Sequence, residues 1–153
     1  MEIRELISSE FDTALQLAWK VFQEYESPDY SEEGVQAFFN SIHDKDYLKM
    51  LRIYGAFENK NMVGILATRS SGSHVALFFV DGMHHRKGIG RQLFEKACSD
   101  NTSGTMTVNS SPYAVEVYHH LGFIDTGTEQ VTNGIRYTPM VCSLKKYNVL
   151  RDV

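Results

Sequence analysis

The segment from His74 to Cys98 constrains this chain more than any other. His74 to Val80 is an apolar run of the length expected for one buried strand. A basic turn follows, Asp81-Gly82-Met83-His84-His85-Arg86-Lys87, and Gly88-Ile89-Gly90 opens a stretch with helical spacing. Ile89, Leu93, Phe94, Ala97 and Cys98 fall on one face of that helix. A strand that ends in a glycine turn and resumes as a helix gathers unpaired N–H groups at a positive helix end. That is an anion site, suited to a phosphate-bearing ligand. Arg86, Lys87 and Arg91 add charge there, and each either meets a phosphate or stands as a solvated surface charge. With a net charge of -4 the chain has no general attraction for nucleic acid or acidic membrane, so the basic turn is a local exception.

Two nucleotide-binding patterns are excluded by spacing. The dinucleotide fingerprint needs a third glycine where Leu93 stands, and a Walker loop needs Gly-Lys-Ser/Thr where Gly88 is followed by Ile89. Gly82 is also one residue too far upstream for the first Walker glycine.

The rest of the chain reads as a single α/β (α+β) domain. Glu2 to Ile7 is strand-like, and Phe11, Ala14, Leu15, Leu17, Ala18, Val21 and Phe22 mark an amphipathic helix. Glu24 to Tyr30 reads as a break, because Pro28 opposes continued helix. Ser31 caps a second helix bearing Val35, Phe38, Phe39 and Ile42, and Asp46 to Leu51 is compatible with a short helix. Arg52 to Phe57 and Met62 to Thr68 predict a hairpin, and Thr105 to Val108 another strand. Ser111 to Leu121 reads as a helix stopped by Gly122. Phe123 to Val131 and Ile135 to Leu144 are strands joined through Asn133-Gly134. The expected order is β-α-α-β-β-β-α-β-α-β-β in a mixed, mostly antiparallel sheet flanked by helices. Residues 1–145 form the domain and residues 146–153 a C-terminal tail.

Cys98 and Cys142 have no metal-ligand spacing, and neither do His119 and His120, so no metal site is expected. Two reduced thiols, no apolar signal region in the first residues and no membrane-length apolar run predict a cytoplasmic protein.

A second segment pairs with the glycine turn: Asn109, followed by Ala114-Val115-Glu116-Val117-Tyr118-His119-His120-Leu121-Gly122-Phe123. Alone, Tyr118 reads as a core aromatic. Together with His85-Arg86-Lys87-Gly88-Ile89-Gly90, the segment resembles the GNAT superfamily of acyl-CoA-dependent N-acetyltransferases. That family's pyrophosphate loop is Gln/Arg-x-x-Gly-x-Gly/Ala, and its later motif is Asn…Ala-x-x-(apolar)-Tyr-x-x-x-Gly-Phe. His85 departs from the usual Gln or Arg, which puts one side-chain contact in question.

The resemblance implies acetyl transfer from acetyl-CoA to a primary amine by direct attack, in a small molecule or peptide. Main-chain groups of Phe78, Phe79 and Val80 would pair with pantetheine, and one N–H near Phe79 or Val80 would polarise the thioester. N–H groups from Arg86 through Gly88, Ile89 and Gly90 to Arg91 would hold the pyrophosphate, with His85 and Lys87 beside them. Tyr118 would protonate the leaving sulfur, and Asn109 would fix local geometry or bond pantetheine. For the general base, His74 is a candidate, Glu24 and Glu129 are alternatives, and water alone is a further one. Glu24, Tyr25, Tyr30, Ser110 and Glu129 would shape the acceptor pocket, with Glu24, Glu26 and Asp29 making its loop acidic. Dimers are common in the family, so a homodimer is a further expectation. The competing reading is a non-catalytic acyl-CoA-binding or sensing module.

Overall fold

A computed structural model describes residues 1–144, so the expected tail lies outside the described residues. The strands are β1 (Glu2–Glu5), β2 (Arg52–Glu58), β3 (Asn61–Arg69), β4 (His74–Val80), β5 (Thr105–Ser110), β6 (Ile124–Asp125), β7 (Gln130–Thr132) and β8 (Ile135–Ser143). The α-helices are α1 (Phe11–Val21), α2 (Glu32–Ile42), α3 (Lys45–Lys49), α4 (Ile89–Ser99) and α5 (Val115–Leu121). The sheet runs β1-β2-β3-β4-β5-β8-β6, with β7 on β8, and every pairing is antiparallel except β4 with β5. This is the mixed, mostly antiparallel sheet expected from the order of elements.

The sheet buries both faces. Leu93, Phe94 and Leu121 from α4 and α5 pack on one side with Met106 and Met140. On the other, Ala14, Leu17 and Phe22 pack with Ile42, Ile65 and Phe79. Each large side chain so enclosed contributes roughly 1.5–3 kcal/mol of transfer free energy.

Two local features open the middle of the sheet. Ala67 pairs with Leu77 but Thr68 with Val75, which leaves Ala76 as an extra residue on β4. Such a bulge bends its strand and inverts the facing of side chains across it. Accordingly Val75 belongs to the α4 side of the core, whereas Leu77 and Phe79 belong to the α1 side. At the same point β4 parts from β5: the two pair only at His74–Thr107 and Val75–Val108. Beyond the bulge, Asp81 N–H donates to the Val63 carbonyl at 2.8 Å. Antiparallel alternation then turns the main-chain groups of Phe79 toward β3 and those of Phe78 and Val80 into the gap.

Among the boundaries that differ from expectation, three change the layout by more than a residue or two. Helix α1 does not break at Glu24: it widens into a π turn, Phe22–Glu26, and a 3-10 turn, Ser27–Asp29, follows. Pro28 is tolerated in that first 3-10 turn, where its missing N–H has no partner to lose. Helix α5 begins at Val115 rather than Ser111. The strand expected over 123–131 is interrupted between β6 and β7. Its ladder reaches Asp125–Met140, where the next partner on β8 is Pro139. Thr126 N–H donates to the Pro139 carbonyl, but proline returns no bond, and the strand ends there.

The α1–α2 connection is fastened to the final hairpin. A Cβ on Gly34 of α2 would fall on the Gly134 carbonyl, so the two backbones touch with no room for a side chain. Arg136 Nη1 donates to the Asp29 carbonyl at 3.2 Å, beside its ion pair with Glu129.

Candidate active site

The gap between β4 and β5 leads into a cavity of about 360 Å³ lined by Phe78, Val80, His85, Arg86, Gly88 and Tyr118, among others. One end of this cavity is the turn into α4. Gly88 is the N-cap, with φ 79°, a left-handed conformation that side chains resist. A Cβ there would meet nothing within 4 Å, so the backbone faces open space. Gln92 N–H reaches back to the Gly88 carbonyl, so the preceding N–H groups, Gly88 to Arg91, have no partner within the helix. The preceding residue but one, Arg86, is also left-handed at φ 64°, and it borders the cavity.

The other end is built on strand and helix. Tyr118 is 6% exposed, and its ring meets Phe78 edge-on, 5.9 Å between centroids, and Phe123 at 5.3 Å. Burial, then the nearby Glu26 and Tyr30, push its hydroxyl well above the ordinary phenol range, so it is a held proton donor at any physiological pH.

A smaller cavity, about 200 Å³, lies on the α1–α2 side. It is walled by Phe22, Tyr30 and Phe38, with Asn109, Ser111 and Tyr47 supplying polar atoms. Phe22 and Phe38 stack at 4.0 Å, and Phe38 meets Phe79 edge-on at 5.7 Å. Both cavities are lined by Glu26, Phe78, Phe79, Ala114 and Tyr118, and these residues form the junction between them.

Glu26 is a residue that the sequence placed in the acidic acceptor loop without singling it out as a site residue. Burial pushes its carboxyl up to about 7, against a hydrogen bond with Ser111 that lowers it and a further push upward from Asp29. The signal was present: Glu26 lies four residues after Phe22, on the buried stripe of α1, and the π turn carries that stripe past the expected break.

The structure gathers some of the predicted residues and leaves others out. Phe78, Phe79, Val80, His85, Arg86, Gly88, Ile89, Gly90 and Tyr118 line the first cavity; Tyr30 and Asn109 line the second. Because the main-chain groups of Phe79 face β3, those of Phe78 and the N–H of Val80 remain for a ligand in the gap. His85 donates from Nε2 to the Val80 carbonyl at 2.7 Å and meets the Tyr25 ring at a tilt of 45°, so its ring braces the turn. Arg91 turns away, Nη2 donating to the His120 carbonyl at 3.1 Å at the end of α5. Lys87 is exposed and lines neither cavity.

His74 lies at the closed end of the gap, where β4 still pairs with β5. Its Nδ1 is 2.7 Å from Thr107 Oγ1, and it borders neither cavity. Burial lowers it to about 4, leaving a weak base. Glu24 is exposed beside Lys20, and Glu129 is held by Arg136. Ser110 donates to the Ser111 carbonyl at 2.8 Å, and Tyr25 stacks on Tyr113; neither lines a cavity. Among the described residues no group of metal-ligating side chains comes together, and no helix is long and apolar enough to cross a membrane.

Comparison with known proteins adds three findings. A family model described as an acetyltransferase (GNAT) domain matches residues 26–144. No curated protein sequence matches significantly. Solved structures with the same fold include a GCN5-related N-acetyltransferase from Rhodopseudomonas palustris, 20% identical with TM-score 0.78, over 94% of this chain and 95% of that one. The PaiA N-acetyltransferase of Thermoplasma acidophilum, in complex with coenzyme A, is 18% identical with TM-score 0.73, over 93% and 98%. A chimeric spermidine N-acetyltransferase, from Vibrio cholerae and hSSAT, is 19% identical with TM-score 0.62, over 97% and 99%.

Proposed function

The chain belongs to the GNAT acetyltransferase family, and from that premise we propose that it moves acetyl from acetyl-CoA to a primary amine by direct attack. The observation that carries the reading is the meeting of a phosphate-type helix N-terminus with a buried tyrosine in one cleft.

Coenzyme A binds along the gap as an added strand would, its pantetheine pairing with main-chain groups of Phe78 and Val80. Its pyrophosphate rests on the N–H groups of Gly88 to Arg91, with Arg86 alongside. The Val80 N–H polarises the thioester carbonyl and stabilises the oxyanion that forms on attack. The amine nitrogen bonds to the carbonyl carbon, the C–S bond breaks, and the departing sulfur takes the Tyr118 proton. Transfer from the raised Tyr118 hydroxyl to a thiolate is uphill on its own, and the proton that the adduct nitrogen must lose refills the tyrosine as the C–S bond breaks. Asn109 keeps the wall of the second cavity polar beside the acceptor.

Isothermal titration with acetyl-CoA tests the premise: binding with a micromolar Kd is the expected outcome, and no binding at millimolar ligand overturns it. Release of coenzyme A thiol over a panel of primary amines then tests the reaction.

A further inference from the structure

The cofactor reading leaves unexplained the second cavity and the carboxyl at its inner end. Glu26 faces a space in which Phe22, Tyr30 and Phe38 supply ring surface, while no Lys, Arg or His borders it among the described residues. A carboxylate facing aromatic walls without a protein cation is complemented by a cation from outside. Glu26 is also the only carboxylate on that lining, so the cavity matches one positive charge rather than several. A second ammonium would be desolvated against ring faces with no second carboxylate on the lining; Asp29, near enough to act on Glu26 and Tyr30, lines neither cavity and has Arg136 at its carbonyl. The volume, about 200 Å³, equals the share of roughly seven liquid waters. That accommodates a body on the order of ten non-hydrogen atoms. The contact of Gly34 with Gly134, and of Arg136 with the Asp29 carbonyl, ties α2 and the turn before it to the final hairpin beside Ile135, which lines the cavity.

We propose that the acceptor is a compact primary monoamine with an aromatic or apolar body, its ammonium held at Glu26 and its body between Phe22, Tyr30 and Phe38. This rests on the acetyltransferase reading. Glu26 then has a second task, because it borders both cavities and so reaches the nitrogen as it enters the cleft. The ammonium gives one proton to the Glu26 carboxylate, and the free amine attacks the thioester carbon. As the C–S bond breaks, Tyr118 protonates the sulfur. The Tyr118 oxygen regains its proton from the nitrogen of the collapsing adduct, and Glu26 releases its own to water. The balance is ammonium plus acetyl-CoA giving amide, coenzyme A thiol and one proton. A carboxyl held near neutrality by burial is matched to this exchange.

The test uses the full chain, acetyl-CoA, and thiol release with phenethylamine, tyramine, spermidine and a lysine-containing peptide, beside titration of acetyl-CoA alone. The arylalkylamines should exceed spermidine and the peptide in kcat/KM by about tenfold or more. Phe38→Ala should raise KM for phenethylamine about tenfold with a smaller change in kcat. Glu26→Gln should lower kcat/KM by on the order of a hundredfold with acetyl-CoA affinity retained, and Glu26→Asp should restore part of it. Retained acetyl-CoA affinity shows each variant folded. Preference for spermidine or the peptide, or wild-type turnover by Glu26→Gln, overturns the inference while the transferase reading stands. Failure of the wild-type chain to bind acetyl-CoA removes both.

Discussion

His85 Nε2 donates to the main-chain carbonyl of Val80 at 2.7 Å, tying the last residue of β4 to the turn that leads into α4. A carbonyl only accepts, so this bond fixes the tautomer with hydrogen on Nε2. The strand edge and the helix N-terminus that flank the cleft are thereby held in one relative position.

His85→Ala removes that tie. A stability loss of about 1 kcal/mol is expected from the lost hydrogen bond, with a several-fold weaker acetyl-CoA Kd. His85→Gln keeps a donor and should recover most of both. Thermal melts and titration calorimetry on the two variants measure the difference.

Gly88→Ala places a Cβ into the open space where the backbone faces the cleft, at a φ of 79°. The left-handed conformation costs a non-glycine residue about 1–2 kcal/mol. The expected result is a modest fall in Tm and a larger loss of acetyl-CoA affinity, tenfold or more, since the new methyl meets the phosphate before the amides do. Equal affinity in wild type and variant would remove the pyrophosphate role from this turn.

Tyr118→Phe removes the hydroxyl but keeps the ring between Phe78 and Phe123. A fall in kcat of about a hundredfold is expected, with acetyl-CoA affinity nearly unchanged. Because the Tyr118 hydroxyl is held above its ordinary range, the wild-type rate should show no decline from its ionisation up to pH 9. Single-turnover rates across pH measure both.

Glu26 gives a pH prediction whose sign runs against most carboxylates. Its folded value, about 7, lies above the unfolded value. The folded state therefore holds the extra proton between roughly pH 4.5 and 7. That contribution is complete below the unfolded value and is lost as pH rises through about 7. Ser111 and Asp29 are the groups that adjust it besides burial. Glu26→Gln should therefore raise the urea midpoint at pH 8 and change it little at pH 4, while turnover falls. A variant more stable and less active at neutral pH is the signature of a carboxyl kept in place for chemistry.

Gly34→Ala tests the fastening of α2 to the hairpin. The Gly134 carbonyl occupies the required space, and overpacking of this kind costs about 1–3 kcal/mol. A fall in Tm of several degrees is expected, read by differential scanning calorimetry.

The strand, turn and helix from His74 to Cys98 were readable because burial, glycine and helical spacing there all act within a few residues. The split between β6 and β7 was not, since its cause is Pro139 on the neighbouring strand, distant in sequence from the residues it interrupts. Glu26 was hidden for a related reason. Pro28 signals a stop, and whether the backbone widens into a π turn before it depends on packing against the sheet. His74 was legible as a titratable residue on the right strand. Its exclusion from the cleft follows from where β4 and β5 separate, a property of the pair rather than of either sequence.

The extra residue at Ala76 makes the cleft an all-or-nothing property of chain length. Substituting Ala76 changes a side chain but leaves the count of residues, and hence the divergence of the strands, as it was. Removing it would put Val75 in phase with the strand beyond, let β4 zip onto β5 past Val108, and swap which layer of helices receives Leu77 and Phe79. Insertions and deletions at this one position therefore act in whole steps: replacing side chains around the cleft reshapes its walls, but the opening itself cannot be narrowed by degrees.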